Sequence, residues 1–205
     1  MDKIAVGPEA RGAIDIRDSV RENLRRIAAA KRYRVEDLTV VVLDRERHAK
    51  LINDIREAGA RIKLISHGDI AGGLMPTLEG TGIDVLMGIG GAPEAVVTAC
   101  ALKCLGGDMQ CRLYPRDEED RRKGEANGLD FDRVLTLDDL AAGNDIFFAA
   151  TGVTGGELLG GVRYTSTGAK THSLAMRARS GTVRIVESTH NFDKLMRIAA
   201  LPYQK

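Results

Sequence analysis

Apolar positions along the chain change their period several times, and each change marks an element. Ile16, Val20, Leu24 and Ile27 recur at steps of four, four and three, which predicts a helix starting near Asp15. Residues 38–43 read Leu-Thr-Val-Val-Val-Leu, the β-branched run expected of a strand buried on both faces. Leu51, Ile52 and Ile55 then share one side of a second helix, which Gly59 closes. Residues 62–65 predict the next strand, 83–87 another, and 93–105 a buried helix that Pro93 opens. Residues 115–128 are mixed in charge and lack an apolar period, so they predict a solvated helix or surface excursion. Leu135, Leu137 and Leu140 begin a further element, and residues 145–150 read as another buried strand. From Gly161 to Thr189 apolar and polar residues alternate, broken at Thr167-Gly168 and Ser180-Gly181, which predicts antiparallel hairpin structure appended to the sheet. Strands alternating with helices predict an α/β fold: a mixed, largely parallel sheet flanked by helices with a C-terminal antiparallel hairpin, with residues 1–205 forming a single domain.

Composition narrows the function classes. Thirty Lys and Arg against 29 Asp and Glu leave a net charge of +1, which argues against a polybasic nucleic-acid or membrane-surface binder. Aromatic residues are 4% with no Trp, so a stacking platform for single strands is not expected. Arg21, Arg25 and Arg26 lie among Asp18 and Glu22 and read as a solvated helix face. Cys100, Cys104 and Cys111 are odd in number and clustered, unlike a disulfide framework; Cys100 and Cys104 are expected to point the same way into a core. Neither a membrane span nor the apolar stretch of a signal peptide is seen, so the cytoplasm is expected.

The 23 glycines point to tight strand-to-helix turns where backbone approaches a ligand. In an open α/β sheet, ligands bind beyond the carboxyl ends of the strands. Those ends carry Asp44-Arg45-Glu46-Arg47, Ser66-His67-Gly68-Asp69, Gly90-Gly91-Ala92-Pro93-Glu94 and Thr151-Gly152, and a parallel sheet would bring all four to one edge. Guanidinium forks grip phosphate oxygens, and carboxylates accept hydrogen bonds from sugar hydroxyls, so the mixture suits a phosphorylated, hydroxyl-rich ligand. Each piece has a plainer reading. Arg45, Glu46 and Arg47 also suit a helix start with surface ion pairs, and Asp69 suits a helix cap. Glu94 suits charge complementation of a helix N-terminus as well as it suits a ligand for Mg²⁺ or Mn²⁺. Residues 88–92 lack the full G-x-G-x-x-G pattern, and Glu94 would repel a pyrophosphate, which argues against a dinucleotide. His48, His172 and His190 have no partner at metal-ligand spacing and read as structural or exposed.

Taken together, Gly88-Ile89-Gly90-Gly91-Ala92-Pro93-Glu94, Ala5-Val6-Gly7-Pro8, Arg47-His48, Gly68-Asp69, Gly107-Asp108-Met109 and Ala149-Ala150-Thr151-Gly152 resemble, in order, the signature of class II fructose-1,6-bisphosphatases, the bacterial GlpX-type sugar phosphatases. The resemblance runs from Met1 to about Asp193 and corresponds to the C-terminal portion of that family. It implies a sugar-phosphatase-like fold and metal-dependent hydrolysis of fructose 1,6-bisphosphate to fructose 6-phosphate and phosphate, a step of gluconeogenesis. It also implies Mn²⁺ or Mg²⁺ as cofactor and sedoheptulose 1,7-bisphosphate as a second substrate in some relatives. It places substrate contacts on Arg45, Glu46, Arg47, His67, Gly68, Asp69 and Gly91, and a metal ligand on Glu94. His67 stands where many members carry a carboxylate, and Arg45-Glu46-Arg47 stands where Lys-Pro-Arg is common. The family's N-terminal acidic metal ligands have no counterpart here, so the chain is expected to be inactive alone, to expose an apolar surface, and to form a homo-oligomer or bind a separate N-terminal segment. The alternative is a non-catalytic sugar-phosphate-binding module.

Overall fold

The computed structural model describes residues 1–198. Two sheets share one helix. The first sheet contains β1 (Asp2–Val6), β2 (Thr39–Leu43), β3 (Arg61–Ile65), β4 (Val85–Ile89) and β5 (Asp108–Arg112), in the order β3-β2-β4-β1-β5. β2 runs parallel to β3 and β4, whereas β1 lies antiparallel between β4 and β5. One face is covered by α1 (Val20–Lys31) and α2 (Ala49–Ala58). The other is covered by α3 (Asp69–Leu74), α4 (Ala92–Leu105) and the short α6 (Leu137–Leu140). The charged segment forms α5 (Glu118–Ala126), capped by the Asp117 carboxylate.

Helix α4 carries apolar residues on several sides, as a helix buried between layers must. Ala95, Ala99 and Leu102 pack on the first sheet with Val41, Leu86 and Met109. Ala101 and Cys104 pack on the second sheet against Leu174 and Met176. That second sheet is built from β6 (Phe147–Thr151), β7 (Arg163–Thr165), β8 (Gly168–Arg177) and β9 (Thr182–Asn191), all antiparallel to β8. The chain then enters α7 (Phe192–Leu195).

Several expectations change. The hairpin is not appended to the first sheet; with residues 145–150 it forms a sheet of its own. Alternation covers one face only, so Leu174 and Met176 are buried while Phe147 on the opposite face is 70% exposed. The first helix starts at Val20 rather than near Asp15. Ser19 caps it by accepting from the Glu22 N–H, and the buried Asn23 side chain bonds both the N–H and the C=O of Asp15, holding residues 15–19 out of the helix. Cys100 and Cys104 do not share a core, because α4 turns Cys100 toward the first-sheet cluster and Cys104 into the second. Strands β1 and β5 escape the hydrophobic pattern because Lys3 and Gln110 interrupt it. Both polar side chains have distant partners: Gln110 bonds the backbone of Ile14 and Ile16, and Lys3 reaches Asp69.

All three cysteines are free. Burial pushes the fully buried Cys111 thiol up to about 12, so it stays protonated at ordinary pH. At pH 8, iodoacetamide followed by mass spectrometry should modify Cys111 only after denaturation; labelling of the folded chain would contradict the packing of β5.

Candidate functional site

β2, β3 and β4 are parallel, so their carboxyl ends reach the same edge of the first sheet. This unites three of the four predicted groups. Thr151-Gly152 ends a strand of the second sheet, and pairing within the first sheet cannot deliver it there. After β2, Arg45 bonds the carbonyls of Asp44 and Ser66 at 2.7 and 2.6 Å, tying the end of β2 to the end of β3. Glu46 begins a 3-10 turn with its side chain exposed. Arg47 donates to the Ile89 carbonyl through Nη2 at 2.8 Å and Nε at 3.3 Å, so its exposed guanidinium lies beside the end of β4.

His48 grips the other side of the same peptide chain. It is 1% exposed, with Nδ1 2.7 Å from the Leu43 carbonyl and Nε2 2.8 Å from the Ile89 nitrogen. The Ile89 N–H can only donate, so Nε2 accepts and Nδ1 carries the proton. Adjacent residues Arg47 and His48 therefore hold the carbonyl and the amide of Ile89. Gly88 makes room for this clasp: its φ is +133°, and a Cβ there would stand 3.0 Å from His48 Nε2. The reading of His48 as structural holds, and the same is seen for His172 and His190, which bond the Gly160 amide and the Thr171 hydroxyl.

Beyond β3, His67 is exposed and its Nδ1 lies 2.8 Å from the Ser66 hydroxyl. Gly68 takes the left-handed conformation that starts α3, at φ +88°. Asp69 is the first residue of that helix, and its Oδ2 meets Lys3 Nζ at 2.7 Å. Lys3, on β1 beside β4, is only 3% exposed. This pair lies directly under Gly90, where a Cβ would collide with both the Asp69 carboxylate and the Lys3 ammonium. Gly91 is the N-cap of α4, with Pro93 and Glu94 in the first turn. The half-buried Glu94 carboxylate folds back over Gly91, occupying the space a side chain there would need.

Two carboxylates and the Arg47 guanidinium thus surround a glycine turn whose backbone is fixed from several sides, and Arg45 stands further along the same edge at the ends of β2 and β3. The mixture can pair guanidinium groups with phosphate and carboxylates with hydroxyls or a cation. Among the described residues, no three His, Cys, Asp or Glu side chains come together in a way that could hold a metal ion. Glu94 alone is too few ligands for a divalent cation, and Asp69 is engaged by Lys3, so the residues present do not by themselves make a metal centre. A larger groove of about 720 Å³ lies between α1 and α2 and holds none of the eight predicted site residues. Sequence reasoning missed Lys3 entirely. The one signal was a lysine inside a short apolar strand.

Removing Lys3 would leave the Asp69 carboxylate with little solvent and no cation. Lys3→Met should destabilise the fold by about 3 kcal/mol, read from urea denaturation. Adding Asp69→Asn should restore part of that loss. A single variant with the parent midpoint would contradict the role given to this pair.

Residues 1–190 match the family described as bacterial fructose-1,6-bisphosphatase, glpX-encoded. Among curated proteins, the D-fructose 1,6-bisphosphatase class 2/sedoheptulose 1,7-bisphosphatases of two Synechococcus strains, JA-2-3B'a(2-13) and JA-3-3Ab, are each 45% identical over 206 residues, covering 94% of this chain and 59% of their own length. The protein of the same description from Synechococcus elongatus is 40% identical over 212 residues, covering 97% of this chain and 61% of its own. The chain thus spans about three fifths of the length of these relatives. The family is metal-dependent in general. With nearly its whole length matched and the glycine turn, Arg47 and Asp69 set at one sheet edge, the chain belongs to the bacterial, glpX-encoded fructose-1,6-bisphosphatase family.

Proposed function

We propose that this chain supplies the sugar-phosphate-binding wall of a class II fructose-1,6-bisphosphatase. The enzyme would release phosphate from fructose 1,6-bisphosphate or sedoheptulose 1,7-bisphosphate, in the cytoplasm and in gluconeogenesis, with residues 1–205 acting as one domain. The observation that carries this reading is the convergence of Arg45, Arg47, Asp69 and the Gly90-Gly91 turn on one sheet edge. In it, Arg45 and Arg47 hold a phosphate group. Glu46, His67, Gly68 and Asp69 face the sugar hydroxyls. Gly91 has no side chain of its own, and its backbone meets the ligand beside the Glu94 carboxylate that folds over it. Asp69 is suited to its part: Lys3 takes one carboxylate oxygen, and the other has no hydrogen-bond partner among the described residues.

Glu94 is the metal ligand of this reading, for Mn²⁺ or Mg²⁺. Such an ion would supply charge stabilisation to phosphate transfer, and holding it would require carboxylates additional to Glu94. Binding of the sugar phosphate itself requires no metal here, because the guanidiniums carry the phosphate charge.

Exposed apolar side chains stand on the face of the second sheet turned away from α4, with Phe147 70%, Tyr164 77% and Val186 39% exposed. We propose that this surface packs in a homo-oligomer or against a separate N-terminal segment.

Calorimetry with fructose 6-phosphate in the absence of metal tests the binding wall. The parent chain should bind, and Arg45→Gln/Arg47→Gln should weaken binding at least tenfold in a chain that circular dichroism shows to be folded. Equal affinity in both proteins would refute the assignment. Light scattering of the chain by itself should show self-association that Phe147→Ser/Tyr164→Ser reduces; a parent monomer throughout the micromolar range would count against an oligomer.

A further inference from the structure

We propose that the second sheet carries a separate site for a phosphorylated, hydroxyl-bearing small molecule, centred on Arg163 and Lys170. This site does not depend on the reading of the strand ends, and it shares no residue with the glycine turn.

Strand register places the charges. Arg163 on β7 is directly opposite Lys170 on β8, and Lys170 is directly opposite Thr189 on β9. Opposite residues of antiparallel strands project from one face, so guanidinium, ammonium and hydroxyl form a single row across three strands. It is the face that buries Leu174 and Met176 against α4, continued past the covered residues. Like charges directly opposite each other are destabilising in a sheet unless something neutralises them. Among the described residues no carboxylate pairs with either cation. The ion pairs of this region are Lys63 with Glu157 and Arg177 with Asp145, and neither Arg163 nor Lys170 enters one among the described residues.

The next row holds His172 opposite Glu187. The Gly160 amide donates to His172 Nδ1 at 2.9 Å, so in the neutral ring the proton sits on Nε2, a further donor. Glu187 makes no hydrogen bond to the protein among the described residues and is the one carboxylate lining the cleft. Gly160 and Gly161 close one side, and the enclosed volume is about 300 Å³, the size of a small metabolite rather than a macromolecule. Two cations against one carboxylate favour an anion. The ordering of the rows separates its parts: phosphate between Arg163 and Lys170, hydroxyls toward Glu187 and His172.

The test is residue-resolved amide NMR titration of the whole chain with three probes: inorganic phosphate, glycerol 3-phosphate and glycerol. Phosphate and glycerol 3-phosphate should give saturable shifts at Gly160, Gly161 and Thr171, with glycerol 3-phosphate the tighter, and glycerol should give none. Arg163→Gln/Lys170→Gln should weaken both anions at least tenfold there, with any shifts at Gly90 and Gly91 kept. Glu187→Gln should bring glycerol 3-phosphate down to the affinity of phosphate. Both cations are exposed, so these variants should fold. Absence of saturable shifts in the parent, or the same shifts in the double cation variant, overturns the site. Equal affinity for the two anions, unmoved by Glu187→Gln, overturns the hydroxyl-bearing ligand.

Discussion

One helix must serve two sheets, and this constraint organises the molecule. α4 lacks a wide polar face, so it cannot lie on a single sheet with its back to water. Ala95, Ala99 and Ala101 keep its contact surfaces shallow and allow a sheet to approach on two sides. Leu102 fills the first interface and Cys104 the second. Small residues on the helix are matched by glycines beneath it: a Cβ on Gly73 of α3 would run into the Thr98 side chain of α4. Burying α4 on both sides also fixes where it begins. Its N-terminus, with Gly91, Pro93 and Glu94, is locked directly after β4. The position of the candidate site thus follows from packing far from any ligand.

The second constraint is that the turn between β4 and α4 must be held still with almost no side chains of its own. Its neighbours do that work. Arg47 and His48 hold the two polar groups of Ile89, while Lys3 and Asp69 fill the volume that a side chain on Gly90 would occupy. Glycine here is required by what lies underneath it. His48 forms part of the same clasp through both ring nitrogens, which explains a fully buried imidazole beside an exposed guanidinium. A buried neutral histidine with both nitrogens satisfied has little burial penalty, whereas an unsatisfied one would cost about 1–3 kcal/mol.

Much of this was legible because each helix and parallel strand carries its own period. The β-branched run of β2, the closing Gly59 of α2 and Pro93 at the start of α4 are local signals, and the structure follows them. Arg45, Arg47, Asp69 and Gly91 could be assigned to one edge because parallel strands impose it. What was not legible depends on partners distant in sequence. β1 reads poorly because Lys3 sits in it, and Lys3 is tolerated only because Asp69, 66 residues later, neutralises it. β5 is similar, since Gln110 is satisfied by the backbone near Ile14. The second sheet was legible as strands but not as a separate sheet. Alternation says which residues share a face, and it is silent about which helix that face meets.

The antiparallel insertion of β1 between β4 and β5 is the feature that joins these threads. A parallel strand in that position would put its amino end at the opposite edge of the sheet, away from the glycine turn. Running antiparallel, β1 pairs Asp2 with Ile89 and Lys3 with Gly88. Lys3 then arrives beneath the turn, where its four-carbon side chain reaches Asp69 while staying buried. The mixed sheet is therefore more than a variation on a parallel one. It delivers a buried cation to an edge where parallel strands alone supply surface guanidiniums. The difference is functional in kind: an exposed arginine can meet a ligand, whereas a buried lysine can only fix the carboxylate that meets it.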